Sequence, residues 1–165
     1  MRLSEYTDYT LRVLMCCAMQ GERLLTIAGL AESLQVSKNH LMKIVNDLAR
    51  QGMLETTRGR GGGIRLLQAP AEIRLGDVLR ASETDFRLVE CFDASTDTCT
   101  LTPDCRIKGV LHKALRAYFS ELDGVTLADM VGPGASSAIK PDEAAAGHPP
   151  VVMAPPASRR RSSAA

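Results

Sequence analysis

SKNHLMKIVNDLARQG, residues 37–52, followed by MLETTRGRGGGIRLL, residues 53–67, is the stretch on which the fold turns. In its first half Leu41, Ile44, Val45 and Leu48 recur at helical spacing as one apolar stripe, with Ser37 placed to cap the helix and Gly52 to end it. The opposite face is polar. Lys38, Asn39 and His40 fall in the first turn, and Lys43, Asn46, Asp47 and Arg50 follow on the exposed side. In the second half Met53 to Thr57 reads as a strand and Ile64 to Leu67 as its return, joined through Arg58, Gly59, Arg60, Gly61, Gly62 and Gly63. A glycine-rich hairpin with two arginines at its tip can lie close to a phosphate or enter a narrow groove, where the local potential attracts the arginines. A nucleotide-binding loop is excluded, because the run lacks a Lys-Ser/Thr ending and does not lead from a strand into a helix.

Working upstream, Thr26 is placed to cap a short helix through Leu34, with Ile27, Leu30, Ala31 and Leu34 on one face, and Gln35, Val36 and Ser37 make the break before the next helix. Two helices joined by so tight a turn form a helix-turn-helix. A further helix precedes them, capped by Ser4, carrying Tyr6, Tyr9, Val13, Leu14 and Cys17 at helical spacing, and stopped at Gly21. First-turn residues of a recognition helix reach base edges and later ones meet phosphates. The expected DNA-contacting set is therefore Ser37, Lys38, Asn39, His40 and Lys43 from the helix, with Arg58, Arg60 and Gly61 from the hairpin tip.

Charge agrees with that placement. The net charge of +1 conceals a basic segment, Val36 to Arg65, with six Lys and Arg against two Asp and Glu; from Ala71 to Val131 seven basic residues face eleven acidic ones. Double-stranded DNA belongs to the N-terminal half.

Working downstream, Pro70 ends the hairpin, Ile73 can add a short strand, and Gly76 to Ser82 reads as a small helix. After an irregular acidic stretch, Thr102 and Pro103 open a helix that runs to Asp123 and Gly124, with Ile107, Val110, Leu111, Ala114, Tyr118 and Leu122 on one face. So wide an apolar face needs a partner, and two-fold dimers reading a palindromic operator make a second copy of this helix the expected one. The expected architecture is mainly α with a small β-hairpin wing: a winged helix-turn-helix head over residues 1–82, a cysteine-bearing loop over 83–105, a dimerisation helix and short C-terminal helix over 103–131, and a disordered Ala/Pro-rich tail over 132–165. With no signal peptide and no apolar run of about 18 residues, the expected location is the cytoplasm, with no membrane partner.

Five cysteines in a reducing compartment do not make a disulfide framework. Cys16 and Cys17 lie mid-helix and read as small core residues. Cys91, Cys99 and Cys105 occur as C-x7-C-x5-C. Cys105 falls at about the third position of the long helix, where the positive dipole end favours a negatively charged sulfur, the form that binds metal. Soft thiolates take iron–sulfur clusters, zinc or copper(I), and spacing alone leaves these open. The absence of CxxC pairs and of a nearby histidine argues against zinc, three cysteines without an obvious fourth ligand suit an iron–sulfur cluster, and a regulatory disulfide remains an alternative.

The motifs EYTDYTLRVL (5–14), SKNHLMKIVNDLARQG (37–52), RGRGGGIRL (58–66), IRLGDVLR (73–80) and LTPDCRIK (101–108) together resemble the nitric-oxide-sensing repressors of the iron–sulfur winged-helix regulator family, over roughly residues 1–131. The resemblance implies a homodimeric repressor, not an enzyme, in which Cys91, Cys99 and Cys105 hold a cluster, 4Fe–4S in preference to 2Fe–2S. It further implies that Asp8, donated by the other subunit, is the fourth ligand. Read from the residues alone, Asp8 is an acid favourably placed in the first turn of a helix. Two departures stand out. The Cys91–Cys99 spacing is longer than the family pattern, and Lys108 stands where IscR-type sequences place a histidine ligand. Nitric oxide is the implied signal, at whose arrival operator affinity is lost. The alternatives are a winged-helix regulator sensing redox or iron–sulfur status through the same cluster, and an electron-transfer protein, which would retain no specific DNA.

For a dimer meeting about six phosphates, affinity is expected to fall about 10³-fold between roughly 50 and 200 mM salt. Removing Arg60 should weaken binding to all sequences, whereas changing Asn39 or His40 should alter the preferred operator; uniform losses in all three variants in a binding titration would refute this division of roles.

Overall fold

The computed structural model describes residues 2–132, and all but the first residue of the tail expected over 132–165 lies outside them. Helix α1 spans Glu5–Gln20: the Ser4 side chain accepts from the Thr7 N–H, Glu5 and Asp8 sit in the first turn, and Gly21 (φ 60°) ends it. Helix α2, Ile27–Leu34, is capped by Thr26 through the Gly29 N–H and stops at Gln35, which takes the left-handed conformation. That residue turns the chain into helix α3, Lys38–Arg50, capped by Ser37. Strands β1, Leu54–Thr57, and β2, Gly63–Leu66, pair antiparallel from Leu54↔Leu66 to Thr57↔Gly63. Each boundary falls within a residue of the sequence expectation.

The hairpin is fastened to the head by an element that periodicity does not reveal. Leu25, just before α2, exchanges both backbone hydrogen bonds with Ile64, at 2.9 and 2.8 Å. Gly63 makes this approach possible, because a Cβ there would lie 2.6 Å from the Leu25 carbonyl oxygen.

Helix α1 touches α2, α3, β2, α4 (Leu75–Ser82) and α6 (Leu127–Val131). Its Val13 and Leu14 are fully enclosed, and with Leu30, Leu41, Ile44, Leu48, Leu54, Ile64 and Val78 they form one continuous core. The stripe expected on α3 is the buried one: Leu41, Ile44, Val45 and Leu48. Cys16 and Cys17 are buried as expected.

Three expectations are corrected. Ile73 does not form a strand; a 3-10 turn over Pro70–Glu72 precedes it, and an isolated bridge pairs Arg74 with Thr126. The long helix does not begin at Thr102. Residues Thr102–Asp104 make a separate 3-10 turn, Cys105 is extended, and helix α5 runs Arg106–Asp123, because Asp97 accepts from the Thr102 hydroxyl (2.9 Å) and the Cys99 N–H (3.1 Å), tying the turn into the preceding loop. Finally, α6, expected to accompany the dimerisation helix, sends Leu127 into the head's core with no exposed surface.

Helix α5 is attached at its C-terminal end. Arg80 of α4 pairs with both carboxylate oxygens of Asp123 at 2.7 Å and lies over the Phe119 ring, which Phe86 meets edge-on at 4.8 Å. Nothing in α5 is buried, and Ile107 and Val110 are about two-thirds exposed at 67% and 63%. Among the described residues no helix is long and apolar enough to cross a membrane.

Replacing Gly63 with alanine should drive the new methyl into the Leu25 backbone, so the hairpin must splay or the strand shift. The expected cost is about 1–3 kcal/mol in denaturant unfolding, and an unchanged midpoint would show that the Leu25–Ile64 bridge does not anchor the hairpin.

Candidate functional site

The exposed side of α3 carries Lys38, Asn39, Met42, Lys43, Asn46 and Arg50, and its N-terminal turn is fixed by the Ser37 hydroxyl accepting from the His40 N–H at 3.3 Å. Cap residues and first-turn side chains therefore project from one rigid end. At the hairpin tip Gly59 (φ 101°) and Gly61 (φ 76°) take conformations that favour glycine, and the Gly62 N–H closes on the Gly59 carbonyl at 3.0 Å. This tight turn leaves Arg58 and Arg60 exposed on either side of Gly59.

Not every cation of the basic segment is free. Arg65 is held by Glu55 (2.8 Å) and Glu22 (3.3 Å), and Arg50 pairs with Asp47 one turn before it. Lys38, Lys43, Arg58 and Arg60 are exposed and form no ion pair among the described residues, which concentrates free charge at the helix start and the hairpin tip.

His40 and Asp47 both meet α1. The His40 ring is half-buried, stacked on Tyr6 (centroids 6.4 Å) and edge-on to Tyr9 (5.6 Å), so it helps to position α3. Asp47 accepts from the Tyr6 hydroxyl at 2.5 Å, and Lys43 lies 5.6 Å over the same ring. The Tyr6 hydroxyl and the Arg50 guanidinium hold the Asp47 carboxyl below the usual carboxylate range. Burial, reinforced by the bond to Asp47 and its charge, pushes the Tyr6 phenol up to about 12. Sequence periodicity placed Tyr6 and Tyr9 on the buried face but held no signal for which polar groups would meet them.

Asp8 lies on the same helix, about half exposed, and accepts from Arg12 at 2.7 and 3.1 Å. Arg12 in turn lies 5.4 Å over Tyr9. Asp8, Arg12, Tyr9 and His40 thus form an unbroken series of contacts from the outer face of α1 to the first turn of α3.

A residue that the sequence reading missed fixes the start of α1. The Glu83 carboxylate accepts from the Ser4 N–H (3.1 Å), the Ser4 hydroxyl (2.9 Å) and the Thr7 hydroxyl (2.6 Å). Burial raises its pKa, but the bonds from Thr7 and Ser4 outweigh that and leave it lowered. Glu83 is the first residue after α4, so the segment carrying the three cysteines starts at a fixed point on α1. With Glu83 and Ser4 79 positions apart in the chain, no local pattern could reveal the pairing.

Cys91 occupies a 3-10 turn, Glu90–Phe92, whose Phe92 stacks on His112 of α5 at 3.9 Å with the rings 6° from parallel. Cys99 follows in the loop, and Cys105 precedes the first residue of α5. All three thiols are free and half-buried. Asp97, which organises this loop, also lies 4.0 Å from Lys108. Among the described residues no three His, Cys, Asp or Glu side chains converge as a metal-holding group, so one chain does not bring the three cysteines and Asp8 together. Cys16 and Cys17 are chemically different: burial pushes both thiols up, Cys17 to about 12 with the charge of Cys16 adding to the effect, and both are inert core groups.

Residues 3–133 match the model of the Rrf2 family, described as an iron-dependent transcriptional regulator. The chain is 50% identical to the HTH-type transcriptional regulator NsrR of Bacillus subtilis over 133 residues, covering 79% of this chain and 90% of the relative. It is also similar to two solved structures at 25% identity. CymR, the global cysteine regulator of B. subtilis, superposes with TM-score 0.64 over 79% of this chain and 95% of that one. IscR of T. potens superposes with TM-score 0.62 over 79% and 85%.

Tyr6→Phe removes the hydroxyl that α1 donates to α3 and should cost about 1 kcal/mol in unfolding free energy at neutral pH. Because the folded phenol titrates above its ordinary value of 10.0, its contribution is complete below pH 10 and is lost as pH rises through about 12. The alkaline loss of stability should therefore be shallower in the variant, and identical slopes for the two proteins would refute the Tyr6–Asp47 coupling.

Proposed function

Because the chain belongs to the Rrf2 family of iron-dependent transcriptional regulators, we propose that it is a homodimeric winged-helix repressor that binds a palindromic operator, holds an iron–sulfur cluster and releases DNA in response to nitric oxide. It is a DNA-binding regulator and not an enzyme, as are its relatives by name. The observation that carries the sensing reading is a juxtaposition: three free, half-buried thiols lie on the segment that joins α4 to a long helix none of whose residues is buried in its own protomer.

The donors suit the group. Three sulfurs on one segment supply most of a soft ligand set, and none is sealed in the core as Cys16 and Cys17 are. Cys91, Cys99 and Cys105 would hold the cluster in one protomer, with the partner subunit's Asp8 as fourth ligand; 4Fe–4S is the favoured type and 2Fe–2S the alternative. When bound, the cluster would supply iron reactive toward nitric oxide, and the Asp8 carboxylate would be a harder, weaker ligand to that iron than the three thiolates.

The protein's own residues carry the change to DNA. Arg12 holds the Asp8 carboxylate outward from α1, and the same guanidinium lies over Tyr9, whose ring meets His40 in the recognition helix. Tyr6 makes the second link through Asp47. Glu83 fixes the cysteine segment to the first turn of α1. Losing the restraint on Asp8 and on segment 83–105 therefore acts on α1, which packs directly against α3. The exposed apolar residues of α5, Ile107 and Val110, are assigned to the two-fold interface that sets the heads at a spacing of about 34 Å or a multiple.

Protein purified without oxygen should contain iron and sulfide in equal amounts and show the absorption of a cluster. Stoichiometric nitric oxide should then lower its affinity for a selected operator about 150-fold, a coupling of about 3 kcal/mol. Equal binding before and after treatment would refute nitric-oxide sensing, and a larger response to peroxide or chelator would replace that signal with redox or iron supply.

A further inference from the structure

Met42 is the one large apolar side chain that α3 leaves in solvent, at 50% exposure, directly after the fully buried Leu41. Single exposed apolar residues are common and carry nothing by themselves. The surroundings of Met42 set it apart. Asn39 stands one turn before it and Asn46 one turn after, and these three line an open depression edged by Lys43, Asp47 and Arg50. The spacing 39, 42, 46 keeps them on one stripe, about 10 Å long at about 1.5 Å per residue, which spans roughly three base-pair steps of about 3.4 Å.

Along that stripe the chemistry alternates. Each asparagine amide offers a donor and an acceptor, while the thioether between them offers an apolar, unbranched and adaptable end. In the major groove every base edge carries hydrogen-bonding groups, and the one apolar group is the thymine C5 methyl. We propose that Met42 is a specificity-determining residue whose side-chain end packs on a thymine C5 methyl in each half-site, with Asn39 and Asn46 hydrogen-bonded to neighbouring base edges. The proposal rests on the reading that α3 enters the major groove, and it narrows that reading to one preferred base. It also moves sequence reading along α3, away from His40, whose ring is engaged by Tyr6 and Tyr9, and toward the middle of the helix.

The test uses the full chain purified without oxygen and a pool of random-sequence duplexes. After selection, each thymine of the enriched duplex is replaced in both half-sites by deoxyuridine, which removes only the methyl group. Wild-type protein should lose about fourfold in affinity per half-site at one such position, the ratio expected for one buried methyl group. Met42→Gln, which keeps length and helix propensity but not the apolar end, should bind the thymine and uracil duplexes alike, and Met42→Leu should keep the discrimination. An enriched duplex with no methyl-sensitive thymine, or a Met42→Gln protein that senses the methyl as strongly as wild type, would overturn the assignment of Met42 while leaving α3 as the DNA reader. Failure of wild-type protein to enrich any duplex would overturn the reading of α3 itself, and the Met42 proposal with it.

Discussion

Val13 and Leu14 have no exposed surface, and the elements of the head close around them. The burial of this one face of α1 is the constraint from which the remaining geometry follows. Each fully buried aliphatic side chain contributes about 1.5–3 kcal/mol, so the helix cannot rotate or slide without exposing several at once. Its other residues are then delivered to fixed places: Tyr6 to Asp47, Tyr9 to His40, Thr7 to Glu83, and Asp8 to the outside. A helix that would be a structural support in another protein becomes here the common neighbour of the recognition helix and of the segment that bears the cysteines.

Electrostatics refine what composition suggests. Six basic residues between Val36 and Arg65 make the segment suited to DNA, but pairing withdraws Arg65 into contact with Glu55 and Glu22, and Arg50 into contact with Asp47. Exposed pairs of this kind add little stability. Their effect is on distribution, since the charge left unpaired collects at the N-terminal end of α3 and at the tip between β1 and β2. Those are the two places a winged helix presents to a groove and its flanking phosphates.

Helix α5 shows the opposite economy. Its C-terminal end is held by Arg80, Asp123 and the Phe86–Phe119 contact, and α6 returns the chain to the head by burying Leu127. Toward its N-terminal end Ile107 and Val110 stay in solvent, next to the turn that ends at Cys105. A helix anchored at one end and apolar at the other, with thiols beside the apolar end, places the three half-buried sulfurs and an exposed apolar surface within one local region.

The sequence by itself determined the elements of the head. Caps at Ser4, Thr26 and Ser37, the stripe Leu41–Ile44–Val45–Leu48 and the glycine run at 59–63 are local signals, set by hydrogen bonds and periodicities that span a few residues, and helices and hairpin formed where they indicated. The three cysteines were equally plain as candidate ligands, because their chemistry needs no neighbours to be recognised. Only the tertiary structure decided which polar side chains meet. Glu83 with Ser4 and Thr7, Tyr6 with Asp47, and Tyr9 with His40 join positions 31 to 79 residues apart, and such pairs depend on how helices pack rather than on any repeat along the chain. The same reason explains why the His40 ring packs on two tyrosines of α1, and why the long helix begins at Arg106 rather than Thr102: a hydrogen bond or ring contact from a distant or looped-back residue outweighed the weak local preference.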